Sequence, residues 1–259
     1  MTYNIYISVI LPVYNEEKNI IPLIEEIFSV FENIIKKKYE IIVVDDASSD
    51  GSAGAVNAYF NILKQKSQTD FLVEIKVISH RKRVGQSAAL TTGVKTASGE
   101  LLLTMDADLQ HDPTDIPVMV EAIQTCDMVC GVRKNRSDGM MRLLCSRTAN
   151  MVRNLLTGDN IHDSGCTFRI MKRQCVKSVL PFDNMLYGCE FFFHPLLIRK
   201  DGFKVSEIKI NHRSRPAGSS HYGLISGRLL KGIKAIFKVK SFLLFYKSTC
   251  KKKNKRSRR

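Results

Sequence analysis

The sequence predicts an α/β protein, a Rossmann-like, mostly parallel sheet with helices on both faces. Three observations carry that expectation. Apolar runs rich in β-branched residues alternate with segments of helical periodicity, as in repeated β-α-β units. The runs are apolar along their length, as strands buried on both faces require. Polar clusters follow the runs, at Tyr14-Asn15-Glu16, at Asp45-Asp46, and at Asp106 with Asp108. In a parallel sheet of this kind, that carboxyl edge is where ligands bind.

The elements follow in order. Residues 5–13 and 40–45 read as strands, and between them Ile20, Leu23, Ile24, Ile27, Val30 and Phe31 recur at helical spacing. A helix over 51–66, a strand over 71–79, a helix over 86–96 and a strand over 101–105 continue the alternation. A helix over 113–125 opens at Asp112-Pro113 and leads into a strand over 128–132. Beyond residue 132 the pattern loosens into a polar loop (133–139), a helix (140–156), a strand (166–171), a helix (189–200) and a strand (203–212). Residues 1–222 are thus expected to form one domain, with a first half over 1–132 and a second over 133–222. Residues 223–246 read as an amphipathic helix, with Arg228, Lys231, Lys234 and Lys238 on one face and Leu229, Leu230, Ile233, Ile236 and Phe237 on another. It ends in a cationic tail over 251–259, expected to be disordered, so that 223–259 forms a separate basic appendage.

A chain of 259 residues can bury a full core. Its formal charge of +15 is unevenly spread: residues 228–259 hold thirteen Lys and Arg and no acid, leaving 27 basic against 25 acidic residues elsewhere. A basic tail on a nearly neutral body implies an anionic partner, membrane lipid or nucleic acid. The seven cysteines lack any C-x-x-C spacing, which argues for reduced thiols and no zinc site. The first residues lack the pattern of a secretory leader, and no apolar run approaches the roughly 20 residues needed to cross a bilayer. A cytoplasmic protein, peripheral on the cytoplasmic face of a membrane, is the expected location.

Asp106 and Asp108, at alternate positions after an apolar strand, point the same way if the chain stays extended, and Gln110 can reach the same point. Hard oxygen ligands of this kind suit Mg²⁺ or Mn²⁺ bound together with substrate phosphates. Taken alone, the two acids serve equally well as strand-end residues before a helix-opening turn. Asp45 and Asp46 can accept hydrogen bonds from a base edge and ribose hydroxyls, whereas Ser48 and Ser49 read as turn and cap residues. No Gly-x-Gly-x-x-Gly follows the first strand, which argues against a dinucleotide cofactor.

Six segments taken in order resemble the family-2 glycosyltransferases of the GT-A fold, and within them the polyprenyl-phosphate sugar transferases of the dolichol-phosphate mannosyltransferase kind. The segments are Leu11-Pro12-Val13-Tyr14-Asn15-Glu16-Glu17, Val44 to Gly51, Met105 to Gln110, Gly131-Val132-Arg133, Asp163 to Arg169, and Arg215 to Tyr222. The resemblance implies an inverting, metal-dependent hexosyltransferase that uses Mg²⁺ or Mn²⁺. It places Pro12, Tyr14, Glu16 and Asp45 at the base and ribose of a nucleoside-diphosphate sugar. Asp106, Ala107 and Asp108 would stand at the diphosphate, with Asp108 and Gln110 as direct metal ligands. Arg215 and His221 would close over the donor phosphates. His221 departs from the pattern, since relatives usually carry lysine there.

On the acceptor side the resemblance implies that Arg133, Arg142 and Ser146 cradle a lipid phosphate, already an anionic nucleophile that needs cationic positioning more than a base. Asp163 is either a general base or the partner of Arg169 in a structural ion pair. Two other functions compete: sugar transfer to a glycan hydroxyl, in which Asp163 would be essential, and a non-enzymatic membrane or nucleic-acid binder acting through its tail. The second leaves the strand-end carboxylates without a purpose, so nucleic acid is not expected as a partner.

Overall fold

The computed structural model describes residues 5–66, 73–134, 151, 154–155, 157–158, 160–180, 190–216, 234, 237–238 and 241. Within them one seven-stranded sheet organises the chain. Its strands are β1 (Ile7–Val13), β2 (Tyr39–Asp45), β3 (Val73–Ser79), β4 (Leu101–Thr104), β5 (Met128–Arg133), β6 (Arg169–Lys172) and β7 (Val205–Ile210), in the order β3-β2-β1-β4-β6-β5-β7. β3, β2, β1 and β4 run parallel, as their alternation with helices predicts. β6 lies antiparallel between β4 and β5, and β7 returns parallel to β5. The antiparallel insertion is not legible in apolar patterning, because a strand buried between two neighbours looks the same in either direction.

The helices are α1 (Glu17–Val30), α2 (Ser52–Lys66), α3 (Gln86–Thr96), α4 (Ile116–Ala122), α5 (Val176–Val179) and α6 (Glu190–Lys200). α1 runs on into a π-helical turn at Phe31–Ile35, and α4 is flanked by 3-10 turns at Pro113–Asp115 and Ile123–Thr125. Asp112 caps the first of these turns by accepting from Thr114 N at 3.0 Å, as the Asp-Pro pair predicts. Only residues 234, 237, 238 and 241 of the expected C-terminal helix are described, all helical; the remainder of 223–259 and most of the expected 140–156 helix lie outside the described residues.

Both faces of the sheet are covered. Ile7, Val9, Leu11 and Val13 of β1 alternate into a core shared with α1, while Ile10 joins Ile42, Val44 and Leu102 in a second core under α3 and α6. This two-sided burial is why the strands are apolar throughout. α3 packs so tightly on β1 that a Cβ placed on Gly93 would lie 2.3 Å from Ile10 Cγ2. The four described cysteines that carry free thiols, Cys126, Cys130, Cys166 and Cys175, are buried. Among the described residues no helix is long and apolar enough to cross a membrane.

Candidate active site

The carboxyl ends of β1, β2 and β4 each turn through a non-glycine residue in the left-handed region: Asn15 (φ 56), Ala47 (φ 59) and Leu109 (φ 60). Such turns cost an alanine or leucine about 1–2 kcal/mol and persist where surrounding contacts enforce them. Here the contacts are explicit. Asn15 N donates to Ser48 Oγ at 3.0 Å, Ser49 N to Asn15 Oδ1 at 2.8 Å, and Glu16 N to Ser52 Oγ at 2.9 Å. Ser48 and Ser49 therefore tie the first two loops together, the structural role their residue type suggests. Asp45, 4% exposed, accepts from Ser48 N at 3.2 Å.

Asp46 does something the sequence did not indicate. Its carboxylate accepts from Val84 N at 2.9 Å and Gly85 N at 2.7 Å and meets His80 Nδ1 at 2.9 Å. Gly85, at φ 101, supplies the turn that brings these amides inward. In this structure its oxygens hold the 80–85 loop. That loop in turn reaches the site, because Gln86 Nε2 donates to Asp106 Oδ1 at 2.6 Å and the Arg83 guanidinium sits 3.8 Å over the Tyr14 ring. Gln86, His80 and Arg83 were missed in the sequence. Their one visible signal was position, a polar cluster just past the carboxyl end of β3.

β4 ends at Thr104, yet burial still alternates beyond it. Met105, Ala107 and Leu109 point into the core, while Asp106, Asp108 and Gln110 are partly exposed on the other side. These three residues therefore keep to one side of the chain without a strand ladder. Asp108 Oδ1 accepts from Gln110 N at 3.2 Å, and Asp106 N donates to His111 Nδ1 at 3.3 Å. Burial holds the His111 imidazole at a pKa of about 3, so it stays neutral and accepts that bond. Burial also raises both carboxylates, Asp108 further through the neighbouring charge of Asp106.

Arg215 completes this edge. Its guanidinium bonds Glu16 Oε1 and lies 3.7 Å from Asp108 Oδ2, bridging the β1 and β4 ends. Glu16, whose pKa burial raises, also accepts from Asn19 Nδ2 at 2.7 Å. Pro12 and Tyr14 flank the same edge, half-buried.

Asp163 is paired with Arg133 and not with Arg169, the partner weighed from the sequence. Arg133 Nε donates to Asp163 Oδ2 at 2.8 Å and NH2 to Asp163 Oδ1 at 2.9 Å. Arg169, 2% exposed, donates instead to the carbonyls of Ser164 and Phe191. The charges of Arg133 and Arg169 both draw the Asp106 pKa down against the effect of burial. Arg142, Ser146 and His221 lie outside the described residues.

Among the described residues no group of three or more His, Cys, Asp or Glu side chains is arranged to enclose a metal. Two acids and an amide on one partly exposed side of the chain fit a different kind of ion, one that takes its remaining ligands from water and a diphosphate.

A mostly parallel α/β sheet thus gathers carboxylates and an arginine at its carboxyl edge, where sheets of this kind bind their ligands. The profile of "Glycosyl transferase family 2" matches residues 8–180, and the chain belongs to that family. A dodecaprenyl-phosphate galacturonate synthase from Rhizobium johnstonii is 33% identical over 223 residues, covering 84% of this chain and 62% of the relative. An undecaprenyl-phosphate 4-deoxy-4-formamido-L-arabinose transferase from Pectobacterium carotovorum is 36% identical over 220 residues, covering 85% and 63%. The chain thus spans less than two thirds of the length of these relatives. Glucosyl-3-phosphoglycerate synthase from Mycobacterium tuberculosis, solved with Mn²⁺, uridine diphosphate and phosphoglyceric acid, shares the fold: TM-score 0.61 at 18% identity, covering 91% of this chain and 78% of that one.

Proposed function

We propose that this protein is a glycosyltransferase that moves a sugar from a nucleoside-diphosphate sugar to a polyprenyl phosphate, with inversion at the anomeric carbon. The relatives' names, a dodecaprenyl-phosphate and an undecaprenyl-phosphate sugar transferase, support this acceptor. The observation that carries it in this chain is the Arg133–Asp163 pair. With both oxygens engaged by one guanidinium, Asp163 is a poor proton acceptor, which disfavours an alcohol acceptor that needs a base. A phosphate monoester needs none, and the NH1 side of the Arg133 fork is the group that would orient it.

In the reaction the acceptor phosphate oxygen forms a bond to the anomeric carbon as the bond from that carbon to the departing diphosphate breaks, through an oxocarbenium-like centre. Pro12, Tyr14, Glu16 and Asp45 receive the nucleoside, with Arg83 covering Tyr14. Arg215 exchanges its carboxylate partners for the donor phosphates as these arrive. Asp108 and Gln110, with Asp106 behind them, would hold Mg²⁺ or Mn²⁺. Such an ion supplies Lewis-acid stabilisation of the departing diphosphate. Arg142, Ser146 and His221 are assigned to the acceptor and donor phosphates by resemblance.

We assign residues 1–222 to catalysis, with donor and acceptor halves meeting at residue 132, and residues 223–259 to contact with an anionic membrane, on the cytoplasmic side. The charge of the tail, thirteen Lys and Arg without an acid over 228–259, supports that partner. The test is a comparison of two variants in transfer of label to a short polyprenyl phosphate. Arg133→Ala should lose far more activity than Asp163→Asn; the reverse order would favour a glycan hydroxyl acceptor.

A further inference from the structure

We propose that Arg213 is a positioning residue that holds Arg215 in place for the donor, a role that rests on the donor-site reading above. After β7 the chain runs over the carboxyl edge as a strap, residues 211–216, and its anchors are distinct from its functional end. Asn211 N donates to Asp115 Oδ2 at 2.7 Å, and Asn211 Nδ2 to Asp115 Oδ1 at 3.1 Å. His212 makes an isolated β-bridge with His111. Arg213 then fastens the strap in two ways. Its backbone N donates to Gln110 O at 2.8 Å. Its side chain bridges two acids, Glu26 on α1 through NH1 at 2.7 Å and Asp112 through NH2 at 2.6 Å.

Two residues further on, Arg215 meets Glu16 and Asp108. Arg213 touches neither of those acids in the structure. Its guanidinium instead welds the strap to α1, whose first turn follows Glu16, and to the turn that carries Gln110 and Asp112. A guanidinium forked between two carboxylates is fixed in direction as well as in charge, which a single surface ion pair would not achieve. With the strap fixed at Arg213, donor binding has only to re-aim the Arg215 side chain. Without it, the donor must order the backbone as well, and that cost falls on donor affinity and leaves chemistry after binding little changed.

The experiment uses the full chain as wild type and as Arg213→Ala, Arg213→Lys and Glu26→Gln. Backbone hydrogen exchange of the strap is followed, together with titration of UDP and of GDP in the presence of Mn²⁺, donor KM and kcat, and the melting temperature. The expected result for Arg213→Ala is loss of exchange protection across 211–216. Nucleoside-diphosphate affinity should weaken about tenfold and donor KM rise equally, with kcat within about threefold. Glu26→Gln should have a smaller effect of the same kind, and Arg213→Lys should restore most of the affinity. A lowered melting temperature with unchanged affinity, KM and strap exchange would make Arg213 merely structural and overturn the proposal. If the wild type binds neither nucleoside diphosphate, the donor-site reading fails and the positioning role fails with it. Normal binding by the wild type with equal binding by Arg213→Ala sinks the positioning role alone.

Discussion

At Asp108 three effects meet: burial, the charge of Asp106 and the approach of Arg215. The first two disfavour the ionised form, so the site gains most from a cation brought by the substrate. Asp108→Asn keeps the shape and removes the charge. It should lower transfer by about 10²–10³-fold, comparable to losing a transition-state contact worth about 3–4 kcal/mol, as read from kcat/KM. An Asp108→Asn enzyme of wild-type kcat/KM that still responds to Mn²⁺ would move the cation elsewhere. That Asp106, Asp108 and Gln110 share one side was legible because alternation is a property of the chain itself. Which acids face the ligand was not: Asp45 and Asp46 are adjacent in sequence, but only contacts from residues 80–85, nearly forty positions away, show Asp46 turned to the loop. For the same reason the choice of Arg133 over Arg169 as partner of Asp163 had to await tertiary placement.

At the scale of elements, the strands and helices up to residue 133 emerged from periodicity, α3 with the expected bounds and others with ends displaced by one or two residues, as at β1 and β2. The direction of β6 did not, because the sheet neighbours that decide it are β4 and β5, more than thirty residues earlier. The contact between α3 and β1 leads to a prediction. Gly93→Ala puts a methyl group against Ile10 and should destabilise the fold by about 1–3 kcal/mol, a drop of several degrees in melting temperature. A melting temperature equal to wild type would mean that α3 sits further from the sheet. The loop that follows β3 yields another. Asp46→Asn replaces an acceptor of two amides by a side chain that offers one oxygen. It should weaken donor binding, seen as a raised donor KM, while Ser48→Ala leaves the 80–85 loop undisturbed.

Across the whole molecule, buried histidines make stability depend on pH above the carboxylate range. Burial, with Arg169 nearby, holds His194 at a pKa of about 3. An unfolded chain takes up that proton near pH 6.5 and the folded one refuses it, so stability falls as pH drops from about 6.5 toward 3, by up to about 1.4 kcal/mol per unit. Glu40 adds to this at lower pH. Burial raises its pKa, but Lys76 at 2.6 Å with Ser8 and Ser98 outweighs burial and holds it below the usual carboxylate range. Its contribution is present above about pH 4.5 and disappears as pH falls through the lowered value. Urea unfolding midpoints at pH 7 and pH 5 read His194 together with His111, which burial holds at a similar value, so His194→Gln should remove about half of that difference; an unchanged difference would assign it to other groups.

The central claim joins the carboxylate edge to a lipid phosphate, and one measurement addresses both. The full chain is incubated with radiolabelled nucleotide sugars and a polyprenyl phosphate, with Mn²⁺ or with EDTA, and label is followed into the lipid phase. Label should enter the lipid phase from at least one donor, only with the metal, and should be lost in Asp108→Asn. Label appearing in glycan while the lipid phase stays empty for every donor, or lipid labelling undiminished by EDTA, would contradict it.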